Sequence, residues 1–196
     1  MIDQELDLRA RLVAAGVELV NSEGVHALGL REIARRAGVS HGAPRRHFPT
    51  HRELLSAIAR QGFGRLTDTL AGADALAAGT GADARTRLGA LARAYLAFAA
   101  ASPGMFELMF RHDLLEGSGA ELRRTTLPLF RTMARLVGEC HPDSDDPTAA
   151  TAALWANLHG LAQLRATGSL GLATGGDDLE PVLRAALDAH LGPAAR

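Results

Sequence analysis

Lysine is absent from this chain of 196 residues, and every basic side chain except histidine is arginine. That absence reflects genome composition rather than function. Cysteine occurs once, at Cys140, which excludes an intramolecular disulfide and any multi-cysteine metal site. The lone thiol reads as inert, since redox sensing needs an exposed, low-pKa sulfur. Aromatic residues make up only 4% and β-branched runs are nearly missing, so strands have little to build on. Serines are few and none sits in a nucleophile elbow. No phosphate-cradling glycine loop follows a strand, and His112-Asp113 has no partner at useful spacing, so the enzyme reading is poor and no cofactor is expected. No apolar run reaches the roughly 18 residues of a membrane span. The N-terminus, Met1-Ile2-Asp3-Gln4-Glu5-Leu6-Asp7, is acidic and lacks a signal-peptide core, so the expected compartment is the cytoplasm.

What is present is helical. The hydrophobic share of 47% is ample for a core, and Ala, Leu and Arg dominate. An all-α protein of about nine helices follows. Its organising stretch is Leu30–Phe48, LREIARRAGVSHGAPRRHF. Leu30, Ile33, Ala34 and Ala37 fall at i, i+3, i+4 and i+7, one apolar face of a first helix. Gly38 stands where a left-handed residue stops a helix. Val39 can pin the turn, and Ser40 is placed to cap a second helix over Ser40–Phe48. Helix, short turn with Gly, helix is the helix-turn-helix, whose second helix enters the DNA major groove.

The residues after the turn suit that role. Gly42 and Ala43 let the backbone approach a groove wall, while His41, Arg45, Arg46 and His47 supply donors. From Arg31 to Arg65 there are eight arginines against Glu32 and Glu53, a local net of about +6 for phosphate attraction. The whole chain sums to −1, so the rest is acidic. One basic segment in a near-neutral protein fits a local docking face.

Five pieces stand in order over about sixty residues. They are the amphipathic Leu8–Val20, Gly24-Val25-His26-Ala27-Leu28, Ala34-Arg35-Arg36-Ala37-Gly38-Val39-Ser40, His47-Phe48, and His51-Arg52-Glu53-Leu54-Leu55. On these, residues 6–66 resemble the N-terminal DNA-binding domain of the tetracycline-repressor family, with the helix-turn-helix at 30–48. The family usually has Leu-Tyr at Pro44-Arg45, where the Tyr commonly touches phosphate; Arg45 replaces that contact with a charge. Its usual Lys at the start of the fourth helix is His51 here. Pro44 falls in a first helical turn, where a missing N–H costs little. The resemblance implies phosphate anchoring by Arg31, Arg45, Arg46 and His51, base-facing roles for His41, Gly42 and Ala43, and DNA-side positions for Ser40, Pro44 and His47.

The remaining elements are read from periodicity and caps. Helix 1 spans about Leu6–Asn21 and ends at Gly24; Leu28, Leu30, Phe48, Leu54, Leu55 and Ile58 close its small core. Helix 4 runs from Thr50 through Leu70, followed over 71–83 by a helix end and a Gly-rich turn. Helix 5 covers Ala84–Ala101, with Leu88, Leu91, Tyr95 and Phe98 on one side. Ser102 caps helix 6 and Pro103 starts it. A break at Gly117-Ser118-Gly119 precedes helix 7, Ala120–Cys140, with Leu122, Leu129, Phe130, Met133, Leu136 and Val137 inward and Pro128 a kink point. A polar loop, His141–Pro147, leads with Asp146 as cap into helix 8, Pro147–Gly168. A Gly-rich loop, 171–176, precedes helix 9, Asp177–Leu191.

Helix 8 carries Trp155-Ala156-Asn157-Leu158-His159-Gly160, with Trp155 and His159 one turn apart. Residues 84–191 are similar on this point to C-terminal domains of the same family that bear a Trp…His-Gly signature. That implies a ligand-sensing and dimerisation domain, with helices 8 and 9 forming a four-helix bundle across a two-fold axis. Tyr95, Met105, Phe106, Met109, Phe110, Phe130, Met133, Trp155, Leu158 and His159 are the candidate pocket residues. Met105–Phe110 also suits ordinary core, and Trp155–His159 also suits simple packing. Gly160 would let another helix come close. A metal pair at His47 and His51 is disfavoured because Pro49 breaks the helix between them.

The reading is a ligand-responsive transcriptional regulator. It would be a homodimeric repressor on a palindromic operator with half-sites ~34 Å apart or somewhat more, released by a small hydrophobic effector. The alternative is a small-molecule- or protein-binding module of the same fold without DNA recognition, favoured by the departures at Arg45 and His51.

Overall fold

The computed structural model describes the backbone of residues 2–115, 118–141 and 146–192 and the side chains of 8–115, 124, 126–141 and 146–192. The protein is all-α. In chain order the helices are α1 (Ile2–Glu23), α2 (Leu30–Arg36), α3 (Pro44–His47), α4 (His51–Gly79), α5 (Ala84–Ala101), α6 (Pro103–Phe110), α7 (Ser118–Cys140), α8 (Pro147–Ala166), α9 (Ser169–Thr174) and α10 (Glu180–Leu191), with one 3-10 turn at Val25–Ala27. The chain divides into two compact units: residues 1–65 with 102–125, and 66–101 with 126–196.

In the first unit Leu12 and Leu19 of α1, Ile33 of α2, Phe48, and Leu54 and Ile58 of α4 are all but sealed from solvent. Each such burial contributes about 1.5–3 kcal/mol relative to exposure, so the head has a true core despite its size. Gly24, at φ 87°, turns the chain out of α1 while its N–H still reaches the Val20 carbonyl at 3.1 Å. α6 belongs to this unit as well. Met105, Leu108 and Met109 are fully buried. At Gly62 of α4 an added Cβ would lie 2.6 Å from the Met105 sulfur and 2.8 Å from that of Met109, so the two thioethers pack directly against this glycine. Phe110 meets Phe63 and Phe106 edge-on, at 5.7 and 5.0 Å between ring centres. Arg52 donates to the Asp113 carbonyl at 2.8 Å, just beyond the end of α6.

In the second unit α5 buries Leu88, Leu91, Tyr95 and Phe98, the predicted stripe. Leu154, Leu158 and Leu161 of α8 and Leu183, Leu187 and Leu191 of α10 complete that core. Thr151, also buried, satisfies its hydroxyl on the Pro147 carbonyl at 2.6 Å. Arg87 clasps Asp74 with both Nε (2.8 Å) and Nη2 (2.9 Å). Arg93 pairs with Glu180, and Arg85 reaches Asp188 and the Gly192 carbonyl.

Several boundaries differ from the sequence reading. α4 continues nine residues past Leu70, because its Ala-rich tail is good helix and Asp74 is held by Arg87; the turn comes at Gly81, φ 75°. The loop expected over 171–176 holds α9, since its glycines with positive φ, Gly168 and Gly175, sit at the two ends and leave Leu170, Leu172 and Ala173 free to coil. The last helix therefore starts at Glu180, not Asp177. Ser102 does not cap α6 through its hydroxyl; only its carbonyl accepts, from the Phe106 N–H. Asp146 does cap α8, accepting from the Ala149 N–H at 2.9 Å. α7 already starts at Ser118, so Ser118 and Gly119 of the expected break are helical, while Gly117, the 142–145 part of the polar loop and the Leu122 side chain lie outside the described residues. No described helix is long and apolar enough to cross a membrane.

Candidate nucleic-acid interface

α2 ends as its sequence requires. Ala37 is the C-cap, Gly38 takes φ 70°, the Gly38 N–H bonds the Arg35 carbonyl at 3.1 Å, and the Val39 N–H bonds the Ala34 carbonyl at 3.0 Å. This pair is a Schellman motif, which satisfies two carbonyls that a helix end otherwise leaves bare. The chain then makes a turn, closed by the Ala43 N–H on the Ser40 carbonyl at 3.0 Å, before α3 begins. The second helix is thus shorter than the predicted 40–48. It spans Pro44–His47, its N-cap is Ala43, and no side chain caps it, Ser40 included. The reason is local: Pro44 starts a helix well and lacks the N–H that would let the coil extend backwards.

Ser40, His41 and Gly42 are exposed, and a Cβ on Gly42 would meet nothing within 4 Å. Ala43 and His47 are half-buried, whereas Pro44 is buried. Arg45 and Arg46 stand exposed on α3, and Arg31 on the first turn of α2. None of these three guanidiniums bonds or pairs with a described residue. Their neighbours are engaged. Arg35 holds Glu32 through Nε at 2.8 Å and keeps that carboxyl below its usual range. Arg36 binds Glu23 at 2.6 Å and Ser22 at 3.3 Å. Arg52 is on Asp113, and Arg60 and Arg65 have partners within the chain. His51 is half-buried with Nε2 2.6 Å from the Leu28 carbonyl, so this nitrogen donates inward.

Two residues of this region carry no signal in local sequence. Arg9 Nη1 donates to the His47 carbonyl at 2.8 Å, and its guanidinium carbon lies 4.3 Å above the Phe48 ring. Arg11 Nη2 donates to the Ala37 carbonyl at 2.7 Å. The acceptors lie 38 and 26 residues along the chain, so no periodicity within α1 announces them.

The candidate pocket residues fall into two sets. Met105, Phe106, Met109 and Phe110 are on α6 in the first unit, the first three buried. Tyr95, Phe130, Met133, Trp155, Leu158 and His159 are in the second. There Tyr95 Oη lies 2.9 Å from His159 Nδ1, and the Trp155 and His159 rings stand 5.9 Å apart. Burial raises the Tyr95 pKa and lowers that of His159, so near neutral pH the pair joins a neutral phenol and a neutral imidazole. Leu158 is buried, Phe130 and Met133 half-buried, and Trp155 is 39% exposed.

Residues 12–58 match the bacterial regulatory proteins of the tetR family, and residues 88–190 match the tetracyclin repressor-like C-terminal domain. Over 105 residues the chain is 34% identical to the HTH-type transcriptional activator FasR of Mycolicibacterium smegmatis, covering 54% of this chain and 46% of that protein. The match thus spans about half the length of that curated relative. A solved structure from Rhodococcus sp. RHA1, of unknown function, is 33% identical with a TM-score of 0.77, covering 94% of this chain and 93% of that one. A TetR-family transcriptional regulator from Streptomyces coelicolor is 25% identical with a TM-score of 0.65, covering 94% and 98%.

Proposed function

Because this chain belongs to the tetR family of bacterial regulatory proteins, regulators rather than enzymes, we propose that it is a homodimeric, effector-released repressor acting in the cytoplasm. Each subunit sets the 40–43 turn and α3 in a major groove of a palindromic operator, with half-sites about 34 Å apart. Arg31, Arg45 and Arg46 hold phosphates, and His41, Gly42 and Ala43 face bases. α8 and α10, the eighth and ninth helices of the sequence reading, pair across the two-fold axis. Trp155 and Leu164, exposed on α8, favour that pairing, as does Gly160, which meets nothing within 4 Å. A small hydrophobic effector enters the second unit, of the Trp-His-Gly variety in this reading, beside Tyr95, Trp155, Leu158 and His159. It releases DNA only through tighter binding to the released state.

The observation that carries this reading is the set of three exposed guanidiniums beside the turn that have no partner among the described residues, in a segment whose other described arginines are engaged. Three phosphates per subunit give six per dimer and a slope of log affinity on log salt of about −5. Fluorescence anisotropy on duplexes from the gene's own upstream region tests it. Absence of any specific, salt-sensitive binding refutes it. The Arg45→Ala/Arg46→Ala double variant should lose the operator and keep effector binding; if neither changes, the chain is a binding module without DNA recognition.

The likeness to an activator favours a second reading, in which the bound dimer recruits polymerase. Run-off transcription from the same fragment separates the two, since added protein lowers the transcript in one case and raises it in the other.

A further inference from the structure

The two helices of the turn motif are too short to hold their own orientation. α2 has seven residues and α3 has four, far below the length at which a helix is stable alone. α1 is long and anchored by Leu12 and Leu19, both fully buried, and so offers a rigid post. From that post Arg11 Nη2 reaches the carbonyl of Ala37, the C-cap of α2, and stands 3.7 Å from where a Cβ on Gly38 would be. Arg9 Nη1 reaches the carbonyl of His47, the last residue of α3, and its guanidinium covers the buried Phe48 ring. Each cation therefore sits at the negative end of one motif helix, where its charge and its donor are both favourable.

We infer that Arg9 and Arg11 are positioning residues for DNA recognition: they fix the angle of the two motif helices against α1 and so set sequence discrimination, without neutralising phosphate. This rests on the DNA-binding reading above. A phosphate contact adds to affinity for any duplex, whereas a fixed angle matters only where base edges must be met. The two roles therefore separate by measurement.

The test uses the full-length protein and two duplexes of equal length. One is enriched from random-sequence DNA by the unaltered protein; the other is of mixed sequence. Arg9→Met and Arg11→Met keep the stem and remove the donor. Each should lower the ratio of affinities, enriched over mixed, by about five- to tenfold and leave the salt slope on either duplex unchanged. Arg9→Lys, which keeps a cation and a donor, should restore most of the ratio. Arg45→Ala is the contrast: it should weaken both duplexes and reduce the slope by about two per dimer. If Arg9→Met lowers the slope as Arg45→Ala does, Arg9 is itself a phosphate contact and the inference is overturned. An unchanged ratio in both Met variants overturns it equally. Failure of the unaltered protein to enrich any sequence refutes the DNA-binding reading, and this inference with it.

Discussion

Replacing Gly104 with alanine should loosen the first unit at one point. Gly104 lies in the first turn of α6, and an added Cβ would stand 3.1 Å from the Gly24 Cα, 3.4 Å from the Val20 carbonyl carbon and closer still to the Val20 oxygen. Comfortable carbon–carbon separations are about 3.5–4.0 Å. The obstacle is backbone on both sides, and the Val20 carbonyl already accepts from the Gly24 N–H, so no side chain can swing away. Overpacking of this kind costs about 1–3 kcal/mol. Alanine recovers less than the full ~1 kcal/mol of helix propensity, because the first turn is not helix interior. A net loss of about 1–2 kcal/mol should lower the melting temperature by about 2–8 °C in a chain of this size. Circular dichroism at 222 nm, at fixed protein concentration, reads it directly. If Gly104→Ala melts at or above the unaltered protein, α6 does not press on the end of α1.

Three further outcomes follow from single groups. His159 has its pKa pushed below the ordinary 6.5 by burial, so the unfolded chain takes up a proton that the folded chain refuses. Stability from this site is complete above 6.5 and falls as the pH drops below it. The melting temperature should decline from pH 7.5 to 5.5, less so in His159→Gln; an identical decline in both refutes the assignment. The lowered carboxyls of Glu32 and Glu180 lie outside that window, since their contribution is lost only below about 4.5. Gly160→Ala should stabilise the isolated subunit by up to about 1 kcal/mol and weaken self-association in sedimentation equilibrium; unchanged association removes Gly160 from the interface. Asp146→Ala should cost about 0.5–2 kcal/mol in urea unfolding through loss of the cap on the Ala149 N–H, and no change would show the cap idle.

The helices were legible where one physical rule decided them. α5 begins and ends at the predicted residues because its apolar stripe and the Ser102-Pro103 boundary coincide. Gly38 was legible because the Schellman turn requires a left-handed residue between Ala37 and Val39. Legibility failed where two rules competed. In 171–176 glycine density argued for loop, yet positions decided the matter: Gly168 and Gly175 terminate, and the residues between them coil. At Ser40 a good capping residue stood at the wrong place, because Pro44 sets the helix start four residues later.

The basic segment shows why a charge count understates a site. Eight arginines against two acids suggested a local docking face, but a guanidinium has five donors and takes whatever acceptor the fold brings near. Arg35 and Arg36 meet carboxylates and Arg52 a carbonyl. Arg31, Arg45 and Arg46 meet none among the described residues, and they flank the turn that presents Gly42 to open space. Sequence supplies the number of cations, while tertiary contacts decide which remain for an outside anion. Arg9 and Arg11 make the same point in reverse, since they lie outside the counted segment yet hold the carbonyl ends of both motif helices.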